Sequence, residues 1–517
     1  MGFQRPFSLG LIALALLRLS RCSPVSESVA TPTTSAPSSA VSVTLDGVTY
    51  VNKGIVGFGF IPSDFIESTG DTFGGVGSAI ALKYGTWRSR SDGTYTGTLV
   101  VHPDRGFNVI STIDYRARQH EVDFVLTPYT GSKNLTFEAA QKTLQLKYID
   151  TTVQFDRRRG NTSGLDALGV RQKQLGFDII PFADPQMPIA NETYQHLTLD
   201  VEGLVAHSDG TYWISDEYGP YIYRYTADGI LIQTIQPPDA FLPRDSDGNL
   251  NFTSEVDPTT GRAGNQGFEG LTLDAKNDIL YAMLQSATIQ DGGDNDDTSR
   301  YARMVAYDIA DAVIKEPTLV GEWVVPLPVS TSKSKTRACS EIHFVSENVF
   351  LALSRDGNGN GAGNDTDDTT SKYKQADLFS IKKATNIAGS KYDKPSNPVA
   401  LGGSLVSSIT PATYLSFVNY IDDVQLARFG LHNGGDIEEQ TLINSKWESL
   451  ALAPVDDPHN PNDYFLFTAS DNDFLTVNGI FDGVPYNAGV NVDNQFLVFQ
   501  VTLPSVPAGS IAKSIGV

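Results

Sequence analysis

Short runs of β-branched and aromatic residues follow one another from Val41 onward, separated by Gly, Pro, Asn and Asp. Each run has the length of one strand, and the intervening residues are those that form turns. Patterns typical of amphipathic helices are almost absent, so the sequence predicts an all-β protein. Six clear runs are residues 97–101, 212–215, 279–283, 349–353, 464–467 and 495–499.

One sequence unit recurs along the chain: an apolar or aromatic residue, Glu, a small residue, Leu or Ile, a hairpin and then a polar cluster. A looser copy runs from residue 74 to residue 106, and the third full copy is degenerate. Repetition of one supersecondary unit is typical of a β-propeller, whose innermost strands face a central channel. The sequence therefore predicts a β-propeller of about six blades with long loop insertions, and a pair of β-sandwiches is the alternative. The glutamates of the four full copies are Glu202, Glu269, Glu341 and Glu448.

Polar residues at the same place in each repeat would converge on the channel, so we expect an acidic site there. Carboxylates brought together in this number cannot all ionise unless a cation offsets them. Oxygen donors, with no cysteine pair or histidine-rich spacing, favour Ca²⁺, with Mg²⁺ as the alternative. The acids that follow the second strand of a unit complete the set: Asp216, Glu217, Asp356, Asp471 and Asp473.

We divide these residues by role. Metal binding is assigned to Asp216, Glu341, Asp356, Asp471 and Asp473. Catalysis is assigned to Glu202, Glu217, Glu269 and Glu448, with Arg105 and Arg355 as clamps for phosphate or carboxylate. The alternative for any one of these acids is a structural role, in which it accepts hydrogen bonds from backbone N–H groups.

A separate loop begins at Asp356. Asp356, Asn358 and Asn360 place oxygen donors at its positions one, three and five, and Gly361 and Asp367 follow at positions six and twelve. This is the spacing of an EF-hand calcium loop, except that Asp replaces the final Glu and no flanking helices are evident. A solvated Gly- and Asn-rich loop is the alternative.

The first 42 residues differ from the rest of the chain. Residues 1–22 have a basic start and a short apolar stretch, which predicts a secretory signal peptide, and residues 23–42 form a Ser/Thr/Pro-rich flexible leader. Residues 43–517 are predicted to be one propeller domain. Sequons agree with export and predict a secreted glycoprotein; they lie at Asn134, Asn161, Asn191, Asn251 and Asn364.

Charge and cysteine content exclude several classes of partner and a disulfide-stabilised fold. The formal net charge is −22, which argues against nucleic acid and against an anionic membrane surface as partners. After removal of the signal peptide Cys339 is the remaining cysteine, so a disulfide framework is excluded. We expect a monomer whose partner is a small ester or phosphoester molecule.

Five blocks of sequence, taken together and in order, resemble the signature blocks of the phytase-like domain family, also called the esterase-like phytase family. The resemblance spans roughly residues 54 to 503 and implies a secreted or periplasmic propeller-like protein that hydrolyses phosphoesters or other esters. The blocks are residues 74–78, 103–106, 216–220, 265–271 and 470–474.

The sequence thus predicts a secreted phytase-like hydrolase that cleaves phosphoesters or related esters with a divalent cation. It has no Gly-x-Ser-x-Gly, Arg-His-Gly or His-Glu-x-x-His motif, which argues against several common hydrolase mechanisms. A calcium-dependent lactonase or arylesterase is one alternative, because the acidic charge would repel a highly anionic substrate. A non-catalytic binding propeller with structural calcium is the other.

Overall fold

The structure is a computed structural model that describes residues 40–108, 111–330, 334–360, 369–435 and 439–517. The predicted signal peptide, most of the leader, the Asn364 sequon and Asp367 of the calcium-like loop lie outside the described residues. No helix in these described ranges is both long and apolar enough to cross a membrane.

Strands dominate the first half of the chain. They are β1 (Val41–Leu45), β2 (Val48–Ile61), β3 (Ala79–Leu82), β4 (Arg88–Ser89), β5 (Tyr95–His102), β6 (Arg118–Leu126), β7 (Leu144–Val153), β8 (Thr162–Ser163), β9 (Gly169–Arg171), β10 (Met187–Ile189), β11 (Leu197–Thr198), β12 (Val201–Ala206), β13 (Tyr212–Asp216), β14 (Ile222–Tyr225) and β15 (Leu231–Ile235).

The second half continues in the same way. Its strands are β16 (Phe268–Asp274), β17 (Ile279–Leu284), β18 (Tyr301–Asp308), β19 (Thr318–Pro326), β20 (Ala338–Ser346), β21 (Val349–Arg355), β22 (Lys374–Ser380), β23 (Ala400–Leu401), β24 (Ser404–Leu405), β25 (Thr413–Asn419), β26 (Lys446–Trp447), β27 (Ala451–Pro454), β28 (Asp463–Asp471), β29 (Gly479–Phe481), β30 (Val484–Tyr486) and β31 (Asn494–Thr502). The described α-helices are single turns: α1 (Phe137–Ala140), α2 (Asp423–Ala427) and α3 (Ser510–Ser514). The prediction of an all-β protein is confirmed.

The five larger sheets of the described chain are antiparallel, and the first four follow chain order. The first is β3-β5-β6-β7, the second β12-β13-β14-β15, the third β16-β17-β18-β19 and the fourth β20-β21-β22-β25. The fifth joins strands from both ends of the described chain in the order β27-β28-β31-β2-β1, with β26 also on β28. A smaller sheet, β8-β11-β10-β9, and the hairpins β23-β24 and β29-β30 lie between them.

Apolar side chains fill the space between each large sheet and the next. The first and second sheets share a core, as do the second and third, the third and fourth and the fourth and fifth. The fifth sheet also shares a core with the first, where Trp87, Phe124 and Phe467 pack together. Each sheet is thus held by burial on both faces, and among the described residues the one cysteine, Cys339, is free and buried.

The first strands of the five large sheets lie side by side. β3 contacts β12 and β27, β12 contacts β16, and β16 contacts β20. The small residue of the repeated unit permits this approach: a Cβ added to Gly270 would lie 2.8 Å from the backbone nitrogen of Ile342 on the next first strand. These strands surround one cavity of about 90 Å³. Its lining includes Ile80, Leu204, Leu271, His343, Leu452 and, from the segment after α3, Ile515.

Candidate functional site

The acidic residues gather at one end of the first strands, opposite the apolar cavity. In each antiparallel hairpin the start of the first strand lies beside the end of the second, so Val201 pairs with Asp216 and Lys446 pairs with Asp471. Residues that precede a first strand therefore share one end of the molecule with residues that follow a second strand. For this reason most of the repeated glutamates lie near the acids that follow the second strand of a unit.

β-Bulges direct two of the glutamates. The register of the second sheet skips Glu202, between Val201 and Gly203. The third sheet skips Glu269 in the same way, between Phe268 and Gly270. A bulged residue leaves the ladder, and its side chain is re-aimed away from the alternation of the strand. Both glutamates are buried, at 6% and 2% exposure.

Asp104 lies at the centre of the acidic cluster. One carboxylate oxygen from each of Asp104, Asp200 and Glu202 lies within 4.8 Å of the other two. Asp104 also forms a second such group with Asp471 and Asp473. Burial, followed by repulsion from Asp471, raises the pKa of Asp104 well above its usual value. Two carboxylate triads thus share one vertex.

The carboxylates of the triad of Asp104, Asp200 and Glu202 have few cationic or hydrogen-bonding partners. Within the described chain, no hydrogen bond reaches the Glu202 carboxylate. Its pKa is raised well above the usual value by burial, then by Glu269, Asp200 and other carboxylates. Asp200 accepts a hydrogen bond from the Arg105 backbone N–H at 3.2 Å and lies 3.3 Å from its guanidinium.

The triad of Asp104, Asp471 and Asp473 contains a lysine. The Lys446 ammonium donates to Asp471 and, at 2.9 Å, to Asp473, and it lies 3.8 Å from Glu448. Burial alone would lower the pKa of Lys446, but Asp471 and Asp473 raise it well above its usual value. The lysine therefore stays charged and fixed among the carboxylates.

Three further glutamates surround the triads, and each has a buried oxygen without a partner in the described chain. These oxygens are Glu217 Oε1, Glu269 Oε2 and Glu448 Oε2. Gln285 donates to the other oxygen of Glu269, and Arg355 donates to that of Glu448. Burial is the main cause that raises the pKa of Glu217 and Glu269, and repulsion from neighbouring carboxylates adds to it.

Carboxyl groups outnumber cationic side chains in the described cluster, which agrees with the raised pKa values of several of its acids. Eight carboxylates face four cationic side chains. One of these cations, Arg262, donates to backbone carbonyl oxygens and neutralises no carboxylate directly. The carboxylates are Asp104, Asp200, Glu202, Glu217, Glu269, Glu448, Asp471 and Asp473, and the cations are Arg105, Arg262, Arg355 and Lys446.

A known family accounts for most of this chain. The model of the family described as "Phytase-like: Esterase-like activity of phytase" matches residues 86–474, more than half of the sequence. The chain belongs to the phytase-like family. The match includes every cluster residue named above, and the resemblance expected from the sequence blocks is confirmed.

One relative and two solved structures are similar to this chain. An uncharacterized secreted protein of Arthroderma benhamiae is 38% identical over 471 residues, which span 83% of this chain and 88% of the relative. The predicted secretion of this phytase-like protein is confirmed. A crystal structure of a Dyadobacter fermentans protein of unknown function is similar over 87% of this chain and 98% of that chain, with 10% identity and a TM-score of 0.31. A luciferin-regenerating enzyme is similar over 83% and 92%, with 11% identity and a TM-score of 0.25.

Two sequence blocks of the phytase-like chain meet at the cluster. Asn472 accepts hydrogen bonds from the backbone N–H groups of Gly75, at 2.8 Å, and Phe474, at 3.1 Å, and donates to the carbonyl of Val492. A Cβ added to Gly77 would lie 2.0 Å from the Ser470 carbonyl carbon, so only glycine permits this approach. Blocks 74–78 and 470–474 therefore act as one unit that positions Asp471 and Asp473.

Arg105 is held by several partners. Its guanidinium donates to Ser254 Oγ at 2.9 Å and to the Tyr218 hydroxyl at 3.3 Å, and it lies over the Tyr218 ring. Its Nε has no partner in the described chain, and the same is true of Arg355 Nε. Both arginines predicted as clamps therefore lie at the acidic end of the first strands, each beside a carboxylate.

Glu341 does not join the cluster. In the fourth sheet Cys339 pairs with Ser354 and Glu341 pairs with Leu353, so the bulged residue is Ser340. Glu341 thus takes the position that Gly203 and Gly270 hold in their sheets, one residue after the repeated glutamate. Its carboxylate accepts from the backbone N–H groups of Leu271, at 2.9 Å, and Ile342, at 2.7 Å. The aligned repeat was shifted by one residue, and a one-residue shift turns the side chain to the other face.

Two other predicted ligands also bind backbone. Asp216 accepts from the N–H groups of Asp200, at 2.7 Å, and Gly219, at 3.0 Å, which shapes the turn after β13. Asp356 accepts from Ser371 Oγ and from the N–H groups of residues 372 and 373, and it lies 3.5 Å from the Lys374 ammonium. Asp216 borders the cluster, whereas Asp356 organises its own loop. The structure brings Asp471 and Asp473, of the five predicted ligands, into the triads.

Sequence reasoning missed Asp104, Asp200 and Lys446. Asp104 lies in the block of residues 103–106, and Asp200 and Lys446 each precede a repeated glutamate by two residues. None of the three recurs at an equivalent place in the other units, so a search for repeated positions passes over them. Their position next to residues already selected was the available signal.

Proposed function

We propose that the phytase-like chain is a β-propeller. The five large sheets, the apolar core between each neighbouring pair and the shared cavity of their first strands support this arrangement. The fifth sheet would close the ring, because it combines strands from both ends of the described chain. The arrangement has five blades among the described residues, against the predicted six or so.

We propose that the protein is a secreted esterase-like hydrolase with its active site at the acidic end of the channel. The observation that carries this proposal is a buried cluster in which carboxylates outnumber cations and three glutamates keep oxygens without partners. Buried carboxylates with raised pKa values are suited to proton transfer near neutral pH. Family membership supports hydrolysis of an ester bond.

A divalent cation fits the triad of Asp104, Asp200 and Glu202. The donors are hard carboxylate oxygens, which suit Ca²⁺ and also Mg²⁺, and Glu202 has no other partner among described residues. When bound, such an ion polarises a carbonyl or phosphoryl oxygen and lowers the pKa of a water. We propose Asp104, Asp200 and Glu202 as its ligands in place of Glu341 and Asp356, whose carboxylates accept hydrogen bonds from backbone N–H groups.

The residues around this triad are proposed to supply the general base and the groups that bind negative charge. Glu269, fixed by Gln285 through one oxygen, is proposed as the general base that accepts a proton from water through its free oxygen. Glu217 is the second candidate for this step. Arg105 and Arg355, each with a free Nε–H in the described chain, are proposed to bind the developing negative charge on the ester.

Hydrolysis of two aryl esters tests the proposal. The purified chain should release p-nitrophenol from an aryl phosphate or an aryl acetate, and a chelator should abolish the activity. Glu269→Gln should lower kcat by roughly 10²–10⁴-fold with an unchanged circular dichroism spectrum. The matched control, Glu138→Gln at an exposed site of α1, should keep full activity.

The two substrates also separate the candidate functions. The excess of carboxylates favours a neutral ester, and cleavage of the acetate or of a lactone without phosphate release would identify a calcium-dependent arylesterase or lactonase. Inactivity on all substrates with retained Ca²⁺ binding would refute the hydrolase and leave a binding propeller. Full activity of Glu269→Gln would remove Glu269 from the mechanism.

A further inference from the structure

The two carboxylate triads that share Asp104 differ in how their charge is compensated. In one, the Lys446 ammonium contacts both Asp471 and Asp473. In the other, Arg105 contacts Asp200 alone, and Glu202 is buried without a hydrogen bond in the described chain. The Glu202 oxygen lies within 4.8 Å of oxygens from Asp104 and Asp200, so this unpartnered group is directed into its own triad.

We propose that Lys446 takes the place of a second divalent cation, so that the cluster binds one metal ion rather than two. The inference rests on the proposed cation at Asp104, Asp200 and Glu202. It assigns the Asp471 and Asp473 side of the cluster to a cation that belongs to the chain. The symmetric supply of carboxylates around Asp104 would otherwise accommodate an ion on each side.

Steric exclusion is the first reason. Ca²⁺ binds carboxylate oxygens at about 2.3–2.6 Å, close to the distance at which an ammonium nitrogen donates hydrogen bonds to the same oxygens. An ion that contacts both Asp471 and Asp473 would overlap the Lys446 nitrogen, which lies 2.9 Å from Asp473 Oδ1. Lys446 on β26 pairs with Asp471 on β28, so its backbone is fixed beside the site.

Donor number is the second reason. An ammonium has three N–H donors. Lys446 directs them toward a set of three acidic side chains: Asp471 and Asp473 in direct contact, and Glu448 at 3.8 Å. A compact ammonium with three N–H groups can therefore compensate the charge of this side of the cluster. A fixed lysine also survives treatment with a chelator, so half of the cluster keeps its compensation when the metal ion is removed.

Metal stoichiometry tests the inference. Calorimetric titration with Ca²⁺ should give one ion per wild-type chain and two per Lys446→Met chain. The control Lys446→Arg keeps a positive charge and should still bind one ion. Adding Asp473→Asn to Lys446→Met should return the number to one, because it removes a ligand of the second site alone.

The outcomes distinguish this inference from the proposed function. One ion in both wild type and Lys446→Met would overturn the role of Lys446 and leave the first site intact. No ion in the wild type would overturn the first site and the inference together. If Lys446→Met does not fold, electron paramagnetic resonance of Mn²⁺ bound to wild type decides: an isolated-ion spectrum supports the inference, and a dipole-coupled pair refutes it.

Discussion

Two buried glutamates, Glu202 and Glu341, are expected to respond in opposite ways to mutation. Glu341 accepts hydrogen bonds from Leu271 N–H, on the neighbouring first strand, and from its own neighbour Ile342. Glu341→Ala leaves both buried N–H groups without an acceptor. Each unsatisfied donor costs about 1–3 kcal/mol, so we expect a loss of roughly 2–6 kcal/mol in the free energy of unfolding.

Glu341→Gln should recover most of this loss, because an amide oxygen can accept from the same two donors. Burial raises the pKa of Glu341 well above its usual value, which already favours a neutral group here. Neither variant should change Ca²⁺ affinity. Glu202→Gln should instead abolish Ca²⁺ binding and stabilise the metal-free protein, because it removes one charge from a group of mutually repelling carboxylates.

Urea denaturation with and without chelator, together with Ca²⁺ titration, measures all three variants. The reasoning about Glu341 would be refuted by an unchanged unfolding midpoint in Glu341→Ala, or by loss of Ca²⁺ binding in Glu341→Gln. For Glu202, unaltered Ca²⁺ affinity would show that the triad is not the metal site.

Three further predictions concern stability and modification. Burial raises the pKa values of Glu322 and Asp377 to about 7, above their values in the unfolded chain. With chelator present, the free energy of unfolding should therefore fall as the pH rises from about 4 to about 7. A free energy of unfolding that rises over this range would contradict the assignment. Arg303→Met should cost about 3–5 kcal/mol in a denaturation experiment, because it leaves the fully buried Asp291 and Glu322 unpaired, whereas the exposed Lys335→Met should change little. Asn134 lies exposed, so Asn134→Gln should remove one glycan from the intact mass of the secreted protein, and an unchanged mass would exclude glycosylation there.

The strand content and the general location of the acidic site follow from the sequence because both depend on local rules. Turn residues delimit the strands, and an antiparallel hairpin brings the start of one strand beside the end of the next whatever the rest of the fold does. For this reason the sequence alone predicts Glu202 and Asp471 at the acidic site. The β-bulges at Glu202 and Glu269 were not predictable, since a bulge depends on the packing of the partner strand.

The error at Glu341 has a specific physical origin. The third unit lacks the small residue after its glutamate, and Glu341 itself takes that place, where glycine elsewhere allows first strands to approach. Matching the repeats by their glutamates does not reveal this one-residue shift. Glu341 fits this position because its carboxylate accepts a hydrogen bond from the Leu271 N–H on the adjacent first strand. The same position therefore allows close strand packing through glycine in two sheets and links neighbouring first strands through a side chain in a third.

The hydrogen-bonding and charged partners of the repeated positions differ from sheet to sheet, and this difference bears on where the proposed cation would bind. Glu448 has Arg355, and Glu269 has the amide of Gln285. The equivalent position in the fourth sheet is the neutral Ser340, and Glu202 has no hydrogen-bonding or charged partner in the described chain. Among the described residues, the acid at this position thus has a cationic partner in the fifth sheet, a neutral amide partner in the third and none in the second. The carboxyl groups without a partner are therefore concentrated at Glu202, beside Asp104 and Asp200. A repeated acidic position whose charge is unequally compensated among the sheets would place the proposed metal ion beside Glu202 and not beside Glu269 or Glu448.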